Sequence, residues 1–195
     1  MDELYLVKDI AFMEEREASS FSFDKSVADC FSDMAARSIP SYSDINRFTC
    51  YLASKEITKG ENIYDVGCSN GTTLLTLLSN ISAKQLKYNT YIGIDSSSPM
   101  INNARTRLPS EAIDLFCDSI MNIELDNARV IFLNYVLQFL DVKHRDYVLN
   151  RIYRSLNKGG VLFISEKIKP SRSETEFYHE FKRMNGYSDE EILNK

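Results

Sequence analysis

From Asp24 onward, Val27, Cys30, Phe31, Met34 and Ser38 fall on one face at helical spacing, with Asp24 placed as N-cap. Pro40 ends this helix, because the residue before a proline avoids helical angles. A second helix follows "SYSD" and is expected to turn Ile45, Phe48 and Leu52 inward until Lys59-Gly60 breaks it. The rhythm then changes to strand–helix alternation. Short apolar runs at 62–67, 91–95, 112–117, 129–134 and 161–165 read as strands. Between them lie a helix at 72–78 and a second with Ser98 as cap, Pro99 at its first position, and Ile101, Ala104 and Leu108 inward. "VKHRDYVLNRIYRSLN" is a third, with Val148, Ile152 and Leu156 inward and Gly159-Gly160 as its stop.

Continuous apolar strands separated by helices predict a parallel sheet covered on both faces, an α/β fold of Rossmann-like type. Ligands in such sheets sit beyond the carboxyl ends of the strands, where strand order reverses. The expected organisation is a single domain: an arm at 1–20, a helical lid at 21–58, an α/β core at 61–168 and C-terminal helices at 172–195.

The first strand runs into "YDVGCSNG", which places Asp65, Gly67 and Gly71 where strand hands over to helix. Glycine permits left-handed backbone angles and close approach to the main chain. A helix start there points unpaired N–H groups into the same space. Three further polar residues fall at successive strand ends: Asp95, Asp118 and Asn134. An acid ending the second strand is a standard acceptor for ribose hydroxyls. Asp118 can accept from an adenine amine, and Asn134 can orient the reactive or amino-acid portion of a ligand. Each residue has a plainer reading. The glycine turn serves as a tight connection, Asp95 caps the helix near Ser98, Asp118 starts a turn, Asn134 satisfies loop backbone, and Cys68 fills space. Their convergence at one crevice favours a nucleoside carrying a further group.

The glycine spacing is neither GxGxxG nor a Walker loop ending in GK[ST], so neither a dinucleotide nor a nucleoside triphosphate is indicated. S-adenosyl-L-methionine suits the wider turn, with its carboxylate meeting N–H groups near Gly67–Ser69. The chain has 195 residues and a formal net charge of −5, which argues against a broad basic surface for nucleic acid. No apolar run approaches the ~20 residues that cross a bilayer, and the acidic N-terminus is not a secretory signal. Four cysteines without a CxxC pair and two histidines make no zinc spacing; reduced thiols in a cytoplasmic protein and no metal are expected.

"FDKSVADCFSDMAARSIPSYSDI", "YDVGCSNG", "GIDSSSPMI", "LNYVLQFL", "IYRSLNKGGVLFISEK" and "FKRMNGYSDEEI" closely resemble the carboxy-S-adenosyl-L-methionine synthase family, within the class I methyltransferase superfamily. "RSIPSYSDI" and "FKRMNGYS" are the most specific of these; the turn and ribose acid are general to the superfamily. The resemblance implies conversion of S-adenosyl-L-methionine and prephenate to carboxy-S-adenosyl-L-methionine and phenylpyruvate. The product then serves a partner enzyme that modifies a wobble uridine of tRNA, so direct tRNA binding is not expected. It implies a homodimer and ligand contacts by Tyr42, Gly67, Cys68, Ser69, Asp95, Ser96, Asp118, Ser119 and Asn134. Ser96 and Ser119 stand where asparagine and isoleucine are common in the family, so backbone contacts are expected there. Tyr42 would bond the new carboxylate and face the sulfonium. The family's carboxylate-binding arginine lies beyond "GYSDEEI", in the neighbouring subunit's site, and Lys195 comes before it. The expectation is a truncated chain lacking strands six and seven. Ordinary methyl transfer, or ligand binding without turnover, are the competing readings.

Overall fold

The computed structural model describes residues 23–109 and 111–193. The expected arm, and the first two residues of the lid, lie outside them. Two units are present: residues up to Asp44 with Ile168–Lys195, and Ile45–Lys167.

The larger unit is built on five parallel strands: β1 (Asn62–Val66), β2 (Thr90–Asp95), β3 (Ile113–Cys117), β4 (Ala128–Asn134) and β5 (Leu156–Ser165). Their order is β3-β2-β1-β4-β5, so strand order reverses beside central β1. On one face, Ile63, Tyr91, Ile113, Val130 and Phe132 pack in a single apolar cluster with residues of α2 (Tyr42–Glu56), α3 (Thr72–Leu78) and α5 (Ser98–Arg107). On the other, Tyr64, Val66, Ile92, Ile94, Ile131 and Leu133 cluster with Val148 and Ile152 of α6 (Val142–Ser155). Burying a side chain such as Phe132 or Ile131 contributes about 1.5–3 kcal/mol, and strands buried on both faces collect that twice per residue pair.

The sheet and most of the helices match the sequence pattern. Four details differ. The inward face of α2 is Cys50 and Ala53 with Asn46 and Ser54, continued by Ile57, whereas Ile45, Phe48 and Leu52 are exposed. This helix carries two apolar stripes. The stripe of small residues meets the sheet, and Asn46 is accommodated because its amide bonds Thr76 Oγ1 at 3.3 Å. The cap of α5 is Ser97, whose hydroxyl accepts from Met100 N, and not Ser98. Helix α6 ends at Ser155, and Leu156 already pairs with Ala128 as the start of β5. The two glycines therefore sit inside the strand. A Cβ at Gly160 would lie 2.9 Å from the Ala128 carbonyl oxygen, so close strand approach explains that glycine. A short helix that periodicity did not predict, α4 (Ala83–Tyr88), is held by a capping box between Ser82 and Gln85.

In the smaller unit, α1 (Lys25–Ser38) begins at its Asp24 cap as expected. It buries Val27, Cys30 and Met34, with Ala28 and Ala35 beside them. Helices α7 (Arg172–Met184) and α8 (Asp189–Leu193) each begin with a serine–glutamate capping box, Ser171/Glu174 and Ser188/Glu191. Arg37 Nε donates to the Asn185 carbonyl at 2.7 Å, and its guanidinium stacks on Tyr187, 4.2 Å from the ring centre. Ser38 Oγ donates to the Tyr187 hydroxyl at 3.1 Å. "RSIPSYSDI" and "FKRMNGYS", distant in sequence, are thus joined through Arg37, Ser38 and Tyr187.

Candidate functional site

The β1–α3 turn holds three left-handed residues, Gly67 (φ 74), Ser69 (φ 49) and Gly71 (φ 79). The space beside the glycines is filled by protein. A Cβ on Gly67 would collide with Val136 Cγ2, and one on Gly71 would lie 2.5 Å from Leu108 Cδ1. The glycines therefore answer both backbone angle and packing. Gly67 N and Cys68 N donate to the Ile94 carbonyl at 2.7 and 3.0 Å, and Ser69 N donates to Asp95 Oδ2 at 2.9 Å. All three amides expected to meet a ligand carboxylate are engaged within the protein. Cys68 is buried, and burial raises its thiol well above the usual range.

Asp95 ends β2. Its second oxygen, Oδ1, accepts from Ser97 N at 2.8 Å. It joins the glycine turn to the start of α5, so its turn-forming reading holds alongside any ribose role. Burial pushes its carboxyl up, while the bonds from Ser97 N and Ser69 N pull it back. Ser96 lies between these anchors.

Asp118 follows β3 and is exposed. Its Oδ1 accepts from Ser119 N at 2.7 Å and from Asn122 Nδ2 at 2.8 Å, an arrangement that forms the turn after β3. Ser119 Oγ in turn accepts from Met121 N. Asn134 ends β4, and its Oδ1 is buried without a hydrogen-bond partner among the described residues. The next residue, Tyr135, is itself left-handed (φ 59), with its amide donating to Ser165 O at 2.7 Å. Tyr42 opens α2 and belongs to the smaller unit.

One residue of this region escapes sequence reasoning, and a second, Asp65, is marked by its place at the turn but given no role there. Arg107, at the end of α5, donates from Nη1 to the Asn70 carbonyl at 2.8 Å and to Thr72 Oγ1 at 3.1 Å, clamping the glycine turn. Asp65 lies in β1, 2% exposed, and its Oδ2 has no hydrogen-bond partner among the described residues. Burial, reinforced by the charge of Asp95, pushes its carboxyl up to about 8. The available signal was a lone acid inside an otherwise buried strand.

Asp65, Asp95 and Asn134 lie on one face of the sheet. Asp65 pairs with Gly93 and with Phe132, and Asp95 and Asn134 each follow those partners by two residues. The strand tips thus offer a carboxylate at β2 and orphaned acceptors at β1 and β4. Buried acceptors of this kind are costly unless a donor meets them. A ligand bearing hydroxyls and an ammonium fits that donor demand, as S-adenosyl-L-methionine does. Among the described residues no group of three or more His, Cys, Asp or Glu side chains is arranged to hold a metal ion. No helix of the described residues is long and apolar enough to cross a membrane.

Comparisons with known proteins identify the fold and the family. Residues 63–160 match a methyltransferase domain family. A solved protein from Methanococcus maripaludis, described as an S-adenosyl-L-methionine-dependent methyltransferase, superposes with a TM-score of 0.62 at 17% identity, over 88% of this chain and 76% of that one. A plantazolicin methyltransferase solved with SAH superposes at 0.59 and 21% identity, over 84% and 59%. These likenesses show the fold, that of class I methyltransferases. The carboxy-S-adenosyl-L-methionine synthase of Haemophilus ducreyi is 41% identical over 184 residues, covering 90% of this chain and 74% of the relative. That of Actinobacillus succinogenes is 40% identical over the same share of this chain and 75% of its own. With that identity over that length, on this sheet, the chain belongs to the carboxy-S-adenosyl-L-methionine synthase family of transferases.

Proposed function

We propose that the crevice at the strand tips binds S-adenosyl-L-methionine and that the protein carboxylates its S-methyl group with prephenate as donor. The products are carboxy-S-adenosyl-L-methionine and phenylpyruvate. The observation that carries the reading is the set of acceptors on one sheet face, Asp95 with the orphaned oxygens of Asp65 and Asn134, in a chain of this family.

In this reading Asp95 accepts from the ribose hydroxyls while it holds the glycine turn through Ser69. Charge-assisted bonds of this type contribute roughly 1.5–3 kcal/mol each. Asn134 orients the amino-acid portion, Asp118 with Ser119 faces the adenine, Ser96 meets the ligand through backbone, and Gly67 and Cys68 shape the turn beside it. Prephenate loses CO2 and its ring hydroxyl; the departing hydroxide takes a proton from the S-methyl group, and the resulting carbanion attacks CO2. A dry site with fixed dipoles suits that step, because water would quench the carbanion. The protein acts as a homodimer in the cytoplasm, and its product supplies a separate enzyme of wobble-uridine tRNA modification.

Incubation with S-adenosyl-L-methionine and prephenate tests this. Release of phenylpyruvate with a nucleoside heavier by one carboxylate is the expected result. Methyl transfer to an acceptor without phenylpyruvate supports an ordinary methyltransferase, and ligand retention without turnover supports a binding protein.

A further inference from the structure

We propose that Arg107 is a positioning residue for ligand binding: it holds Ser69 in its left-handed conformation, and through the Ser69 amide it keeps Asp95 set to receive the ribose. The inference rests on reading the crevice as the S-adenosyl-L-methionine site and adds to it a side chain that acts through others.

The starting point is Ser69, which carries a Cβ and yet has φ 49. A left-handed residue with a side chain is strained, and it persists only where its surroundings over-determine it. On one side the holding group is Asp95, whose Oδ2 accepts from Ser69 N at 2.9 Å. On the other it is Arg107. Its Nη1 donates to the carbonyl of Asn70, the residue after Ser69, at 2.8 Å and to Thr72 Oγ1 at 3.1 Å. The Thr72 hydroxyl in turn donates to Asn70 Oδ1 at 2.8 Å. Asn70, 4% exposed, is thereby fixed at both its carbonyl and its side chain.

Packing brings the guanidinium to this place. Leu108, the next residue, presses on Gly71, where a Cβ would lie 2.5 Å from Leu108 Cδ1 and 3.4 Å from the Ala104 Cβ. The last turn of α5 is thus seated on the glycine turn. A cation there favours the negative end of α5 but faces the positive start of α3, so the two macrodipoles offset each other. The charged hydrogen bonds to Asn70 and Thr72 remain, and they are specific to the shape of the turn. Without them Ser69 relaxes toward ordinary angles and its amide leaves Asp95 Oδ2. The Asp95 carboxylate then keeps its bond from Ser97 N at 2.8 Å and is no longer held at its other oxygen. Every ligand that carries the ribose feels that loss, whatever its amino-acid portion.

The test is calorimetry with S-adenosyl-L-methionine and 5′-methylthioadenosine, which share the ribose and differ in the amino-acid portion. Arg107→Met should weaken both by the same factor, about tenfold, the scale of one left-handed residue's strain. Arg107→Lys keeps the charge without the planar fork and should fall between. Ser69→Gly removes the strain, so adding it to Arg107→Met should restore most of the lost affinity. Unchanged affinity in folded Arg107→Met overturns the inference and leaves Arg107 a stabiliser alone. A loss confined to S-adenosyl-L-methionine overturns the route through Asp95, and failure of Ser69→Gly to restore affinity overturns the route through strain. Each of these leaves the site reading intact. Absence of binding by the wild type overturns the site reading and the inference together. Where Arg107→Met does not fold, Thr72→Val reads the same clamp. It keeps the guanidinium and removes one of its acceptors, and it should weaken both probes in equal measure; unchanged affinity there overturns the inference as well.

Discussion

The amide of Ser69 donates to Asp95 Oδ2 at 2.9 Å, so the residue proposed to accept a ribose is also the post to which the glycine turn is tied. Asp95 Oδ1 extends the tie to Ser97, the cap of α5. The proposed binding role and local stability therefore share one side chain.

Asp95→Ala should lose both. Removal of two charge-assisted acceptors is expected to weaken S-adenosyl-L-methionine by roughly 2–4 kcal/mol, with about 1–3 kcal/mol of folding stability lost as Ser69 N and Ser97 N go unpaired. Calorimetry and a denaturant melt measure the two separately. Unchanged affinity with reduced stability would leave Asp95 as a turn residue alone.

Gly67→Ala should be poorly tolerated even without ligand. The position is left-handed, which costs a Cβ-bearing residue about 1–2 kcal/mol. The new methyl also meets Val136, and overpacking adds about 1–3 kcal/mol. Adding Val136→Ala should recover the second part and not the first. A double-mutant cycle by chemical denaturation measures this coupling, and zero coupling would refute the packing account.

Asp65 makes stability fall with pH. Its folded-state carboxyl titrates near 8, against about 3.9 unfolded, so the unfolded chain ionises first as pH rises. The contribution is fully present below about pH 4, declines by up to ~1.4 kcal/mol per unit through the interval, and is gone above the folded value. Asp65→Asn removes the slope. The variant should gain on the wild type between pH 5.5 and 8.5 in denaturant melts of the ligand-free protein. A constant difference across that range would place the carboxyl's titration elsewhere.

Arg37→Ala should loosen the smaller unit. Arg37 Nε donates to Asn185 O, its Nη1 pairs with Asp33 at 3.2 Å, and its plane covers Tyr187. Loss of the charged hydrogen bonds is expected to cost roughly 1.5–3 kcal/mol. Amide exchange should quicken across α7 and α8, and unchanged protection there would show the contacts to be incidental.

The order of elements was legible because each rests on local chemistry. The apolar run of β1, the glycines of its turn and Pro99 at the start of α5 declare themselves within a few residues. So does the Asp24 cap. The acids and amide at the strand ends follow from the parallel topology, which the alternation of strand and helix implies.

What the chain could not settle by itself was the choice between neighbours of equal local merit. Helix α2 carries two apolar stripes, and only the sheet beneath it selects Cys50 and Ala53 over Phe48 and Leu52. Leu156 continues a helical pattern, yet pairing with Ala128 draws it into β5. Asp65 reads as an acid of the strand-to-helix turn with no assigned role until burial removes water from its carboxyl and leaves one oxygen without a donor. Local propensity acts over a few residues, whereas desolvation and packing are set by groups far apart in sequence. That is why the elements and the glycine turn were written in the sequence, while the buried acid emerged only when the sheet closed around it.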